Sequence, residues 1–161
     1  MHDPDAEVGL VDLASIQLDA DKLDGGVWWR LSVRDGQLVG DQVEHPAEDV
    51  PAILLVPMGT AYERQLERER EPYMAKLRDK DTPADELERL TLRTAAKALA
   101  ATVVRNWQNI TFKGQAVGFS QAKAAELLAD RTFRNLLDFV LIQASQRAAA
   151  LVRNDADSAG N

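Results

Sequence analysis

From Val8 to Val56 the apolar residues fall in short clusters, not at helical intervals. The first holds Val8, Leu10, Val11, Leu13, Ile16 and Leu18, the second Val27, Trp28, Trp29, Leu31 and Val33, the third Leu38 and Val39, and the fourth runs from Ala52 to Val56. Gly25-Gly26, Asp35-Gly36, Gly40-Asp41 and Pro46 divide them. Short apolar runs bounded by turn residues predict strands. The best hairpin signal is Arg34-Asp35-Gly36-Gln37, since Asp-Gly accepts the positive φ angles of a tight turn. A small antiparallel β-region is therefore expected over residues 1–58.

Beyond Gly59 the spacing lengthens. Tyr62, Leu66, Tyr73 and Leu77 mark one side of a highly charged stretch, which predicts a helix with Thr60 as its N-cap and a solvated outer face. Pro72 removes a backbone donor and crowds the preceding turn, so it should kink or split that helix. Thr82-Pro83-Ala84-Asp85-Glu86 combines a capping hydroxyl, an early proline and acids facing the helix dipole. The stripe Leu87, Leu90, Ala95, Leu99, Val103 and Trp107 then predicts a helix to about Asn106. Residues 109–119 read as a short hairpin turning at Gly114. Ser120 and Asp130 are placed to cap two further helices. The last of these, from Asp130 to Arg153, carries Phe133, Leu136, Leu137, Val140, Ala144, Ala148 and Leu151 on a common side, and Phe139, Leu141 and Ile142 widen its stripe. The expected class is α+β: an acidic β-rich region at 1–58, a helical region with a hairpin at 59–153, and a loose tail at 154–161.

Charge sharpens this division. The net charge is -7, yet residues 1–50 alone hold twelve acids against Lys22, Arg30 and Arg34. Such a surface repels phosphates, which argues against nucleic-acid binding. Cysteine is absent, so disulfides and thiolate chemistry are excluded. The start lacks the apolar core of a signal peptide, and the apolar runs fall far short of the roughly 20 residues that span a bilayer. A cytoplasmic protein without membrane segments is expected.

Candidate chemistry is sparse. His45 stands with Glu48 and Asp49 in a loop that lacks a register to aim them at a metal, and His2 lies near the start. No nucleophile with an adjacent base, P-loop or dinucleotide fingerprint is readable. The chain is therefore expected to be non-enzymatic, without metal or cofactor, and to work by binding another protein; a homo-oligomer is compatible with it. In an alternating strand Trp28 and Trp29 face opposite sides, so one should be core and the other available to a partner. Phe139, Leu141 and Ile142 on the widened stripe are the other candidate contact residues, as a groove for a partner helix.

Trp107-Gln108-Asn109-Ile110, Gly114, Val117-Gly118-Phe119-Ser120, Ala124, Leu127-Leu128-Ala129-Asp130, Phe133, Leu136 and Phe139-Val140 form an ordered pattern over about 35 residues. It resembles tail-assembly chaperones and related tail-region proteins of long-tailed phages and prophages. Trp107, Gly114, Phe119, Ser120, Asp130 and Phe133 carry the resemblance, and each has an architectural use in core, turn or cap. The resemblance implies a small protein that holds a tape-measure or tail-tube protein during tail assembly in the host cell. The alternative it leaves open is a structural subunit of the tail, neck or head-tail joining region that stays in the virion.

Overall fold

The computed structural model describes residues 9–152. His2, Val8, Arg153 and the tail expected at 154–161 lie outside them. After a 3-10 turn at Leu13–Ile16 come α1 (Ala20–Gly25), β1 (Val27–Arg34), β2 (Gln37–Val43) and β3 (Ala52–Leu55). Next are α2 (Thr60–Arg70), α3 (Met74–Arg78), α4 (Ala84–Thr102) and β4 (Val104–Gln108). A hairpin of β5 (Thr111–Phe112) and β6 (Gln115–Ala116) leads to α5 (Gln121–Ala129) and α6 (Arg134–Ser145). The fold is α+β, with an antiparallel sheet ordered β2-β1-β3-β4.

Cross-strand register shows why the sheet forms. Trp29, Ile53 and Trp107 lie opposite one another across β1, β3 and β4. All three are buried, with Val27, Leu31 and Leu55 on the same face. Side chains alternate across a strand, so one face of the sheet becomes a continuous apolar surface. Leu99, Val103, Leu128, Leu137 and Val140 close the core over it. Trp28 lies on the opposite face beside Val43 and Leu54, half-buried.

Several expectations need correction. The first apolar cluster is not a strand: a 3-10 turn at Leu13–Ile16 falls within it, and among its described residues only Leu18 makes a bridge, to Leu151. Both hairpins form where expected, turning through Asp35 (φ 53°) and Gly36 (φ 76°), and through Lys113 (φ 50°) and Gly114 (φ 81°). Pro72 splits its helix, with a 3-10 turn at Glu71–Tyr73 between α2 and α3. Thr60 is the first helical residue rather than the cap, which is Gly59. The Thr82 hydroxyl donates to the Lys76 carbonyl at 2.7 Å and leaves the start of α4 without a side-chain cap.

The largest correction concerns α4. Its Ala- and Leu-rich sequence favours helix, but it ends at Thr102, and Trp107 belongs to the following strand. Valines 103 and 104 prefer a pleated setting, and pairing with β3 buries Trp107 against Ile53. The β-region at 1–58 and the helical region at 59–153 thus share one sheet and one core.

The wide stripe of α6 also has a local cause. This helix packs against β2, β3 and α5 at once, so it buries residues on more than one side. Phe139 lies over Gly40 of β2. A Cβ built on Gly40 would stand 2.8 Å from the Phe139 ring and 2.9 Å from the Arg30 carbonyl oxygen. Neither obstacle is a flexible tip. Gly40→Ala should lower the unfolding free energy by about 1–3 kcal/mol, as overpacking does; chemical denaturation followed by tryptophan fluorescence measures it, and an unchanged midpoint would refute this packing.

Candidate protein-docking groove

β1 has eight residues and β3 only four, so β3 pairs with the first half of β1. The rest of the β1–β2 hairpin projects beyond the sheet. Its core-directed side chains, Leu31 and Val33, have no β3 residue beside them. Across from them lie Ile110 at the base of the second hairpin and Phe133 and Leu136 at the start of α6. Together they bound an open groove of about 470 Å³ that Leu38 also lines. A 3-10 turn at Arg131–Phe133, α6 and two hairpins bring these residues together from four parts of the chain.

Local contacts hold the walls. Asn135 donates a 2.7 Å hydrogen bond from Nδ2 to the Gly36 carbonyl, tying the hairpin tip to α6. Phe112 and Phe133 meet edge to face at 5.6 Å, tying the second hairpin to the 3-10 turn. Behind this wall the Trp107 indole donates from Nε1 to the Val117 carbonyl at 2.8 Å and meets Phe119 edge-on at 5.1 Å. Ser120 caps α5 by accepting from the Lys123 amide, as expected. Gln108 and Asn109 donate to carbonyls of residues 47–50 and fasten the long loop after β2 to β4.

Asp130 holds the 3-10 turn at Arg131–Phe133, whose Thr132 and Phe133 line the groove. Its carboxylate accepts from the Thr132 hydroxyl at 2.7 Å and the Thr132 amide at 2.9 Å, capping the 3-10 turn that carries Phe133. These donors hold the Asp130 carboxyl below the usual aspartate range. Charges surround the groove without lining it. Arg34, Lys113, Arg131 and Arg134 adjoin lining or wall residues, with Asp35, Asp130 and Asp138 among them. Arg134 is paired with Asp138 at 2.9 Å. Lys113 sits over the Phe112 ring.

The five candidate contact residues separate. Trp29 and Phe139 are only 7% and 4% exposed, spent on the core of the chain itself, so neither presents a surface. Trp28 and Leu141 are half-buried. Ile142 is 54% exposed and lines a smaller cleft that shares Leu38 and Asn135 with the groove. Val33, Ile110 and Phe112 were not among the candidates. The signal for Val33 is the mismatch between the long apolar run at 27–33 and the short one at 52–56. His45, Glu48 and Asp49 are exposed, and among the described residues no three of His, Cys, Asp and Glu cluster closely enough to hold a metal ion. Among the same residues no helix is long and apolar enough to cross a membrane.

Residues 58–161 match the family model described as the YdaY prophage protein. The chain belongs to this prophage family. No curated protein and no solved structure matches it. The YdaY match begins just after β3, so it takes in Ile110, Phe133 and Leu136 of the groove but not the overhanging β1–β2 hairpin.

A depressed folded-state pKa means that the Asp130 cap contributes stability above the unfolded aspartate pKa and loses it as pH falls through the folded value. In an NMR acid titration the Thr132 amide should therefore move with a midpoint below that of an unperturbed aspartate. Asp130→Asn should abolish this transition. A wild-type midpoint at or above the ordinary value would contradict the cap.

Proposed function

We propose that the chain acts as a tail-assembly chaperone without chemistry of its own, its groove taking an apolar segment of a tape-measure or tail-tube protein. The observation that carries this reading is Val33, 73% exposed on a hairpin braced in place above other apolar side chains. Holding a large aliphatic side chain in water at a fixed position forgoes burial that a partner can supply. No charged side chain lines the groove, and Asn109 and Asn135 already spend their amides on the fold. Ligand pockets for small polar molecules use converging polar groups to orient their contents. This surface favours a run of apolar side chains, such as one face of an amphipathic helix.

Prophage family membership fits, without specifying, a role in making phage particles. The resemblance carried by Trp107, Gly114, Phe119, Ser120, Asp130 and Phe133 supports tail assembly within that role. Of these Phe133 lines the groove itself, and the others build the core, turn and caps behind it.

The test is co-expression with the tape-measure and tail-tube proteins of the same prophage, followed by affinity capture. Wild type should retain one of them, and Val33→Asp should weaken capture by about tenfold or more, the effect of losing one apolar anchor. Arg68→Ala, on the charged face of α2, should leave it unchanged. Failure of the wild type to bind either protein at micromolar concentrations would sink the proposal. Stoichiometric recovery of the chain in purified particles would replace the chaperone by a virion subunit.

A further inference from the structure

β1 runs on past the end of β3, and this leaves backbone groups as well as side chains without a neighbour. Along an antiparallel strand, successive residues turn their N–H and C=O groups to opposite sides. The Leu31 amide donates to the Pro51 carbonyl at 2.8 Å. The groups of Leu31 and Val33 therefore face the β3 side, and those of Ser32, opposite Val39, face β2. Pro51 has no amide with which to return a bond to the Leu31 carbonyl. Before Pro51 the chain is turned out of the sheet: the Val50 amide bonds back to the Ala47 carbonyl, and Gln108 and Asn109 hold this turn by its carbonyls. Among the described residues the Leu31 carbonyl and the Val33 amide and carbonyl thus have no hydrogen-bond partner.

These groups open onto the groove. Leu31, Ser32 and Val33 line one side of it and Asn109, Ile110 and Thr111 another, with Pro51 at the β3 end. The line of β3, carried on beyond Pro51, runs into this space. The two features recognise different things: the apolar lining takes side chains, whereas an open strand edge takes a main chain.

We infer that the groove binds its partner as an extended strand, paired with β1 where β3 stops. The inference rests on the chaperone reading for the partner's identity and specifies the form in which that partner is bound. In the antiparallel sense that β3 has, one partner residue opposite Val33 exchanges both hydrogen bonds with it. That residue's side chain lies on the same face as Val33 and meets Ile110, Phe133 and Leu136, and the residues on either side of it turn to the other face. The ligand class is therefore a short segment of alternating apolar and polar residues, matched to the overhang from Leu31 to Arg34. An amphipathic helix laid in the groove covers the same apolar side chains but leaves the Val33 amide without an acceptor.

The probe is a pool of peptides of about eight residues that alternate Val, Ile, Leu or Phe with Thr, titrated into the isotope-labelled full chain. The pool should bind with Kd on the order of 100 µM or tighter. Amide exchange at Val33 should slow by about tenfold or more, while that at Ser32, already bonded to β2, stays the same. N-methylation of the apolar peptide residues, whose amides face β1, should weaken binding by at least about tenfold, and N-methylation of the threonines should not. This change leaves the protein itself wild type, so a folding defect does not enter. A pool that fails to bind, binding that leaves Val33 exchange unchanged, or N-methylation of the apolar residues without effect overturns the inference. So does a Val33 amide already protected in a peptide-free dimer, since a second copy then holds the edge. Capture of a tail protein that leaves the Val33 amide unprotected would keep the chaperone reading and remove the strand. Binding of the pool by a chain that captures no tail protein would separate the two in the opposite sense.

Discussion

The fold depends on a row of three side chains, Trp29, Ile53 and Trp107, placed opposite one another across β1, β3 and β4. Two indoles and an isoleucine in register remove a large apolar area from water. The row also decides the topology, because Trp107 comes from the second half of the chain. To bring it there, α4 must stop at Thr102 and the chain must re-enter the sheet beside β3. The hairpin, the Phe119 contact and the Ser120 cap then follow within a few residues. Removal of the Trp107 ring would undo the sheet edge, the core and the back of the groove wall together.

The groove is a consequence of how little of β1 the rest of the sheet covers. Four residues of β3 leave the end of the first hairpin overhanging, and two contacts keep it from collapsing or drifting: Phe139 against Gly40, and Asn135 against the Gly36 carbonyl. The cleft is therefore held open by packing on one side and a hydrogen bond on the other. Its apolar lining, flanked by charges of both signs, is one exposed apolar surface, and the turn near the start of the chain is another. These two surfaces account for most of the strongly exposed large apolar side chains among the described residues.

Much of this architecture is legible in the sequence, for local reasons. Asp35-Gly36 and Gly114 specify their turns through backbone conformation, Pro72 splits a helix, Ser120 caps its helix, and Asp130 caps the 3-10 turn ahead of α6 instead of the helix itself. Those signals act within a few residues of themselves. The fate of residues 103–107 is not local: Ala-rich periodicity argues for more helix, and pairing with β3, some 50 residues earlier, overrides it. For α6 the sequence reveals the wide stripe but not its three neighbours, so Phe139 reads as surface when it is core. Val33 is missed for the related reason that exposure depends on where a different strand ends. The candidate site was legible only at Ile142 and the architectural residues around it.

Membership in the YdaY prophage family places the chain among prophage proteins, and the proposed protein-docking role rests on the groove. Amide hydrogen exchange on adding the tape-measure and tail-tube proteins of the same prophage tests this most directly. The account predicts slowed exchange at residues 31–38, 109–112 and 132–136, with the charged outer face of α2 unaffected. Protection confined to α2, or to the sheet face that carries Trp28, would contradict it.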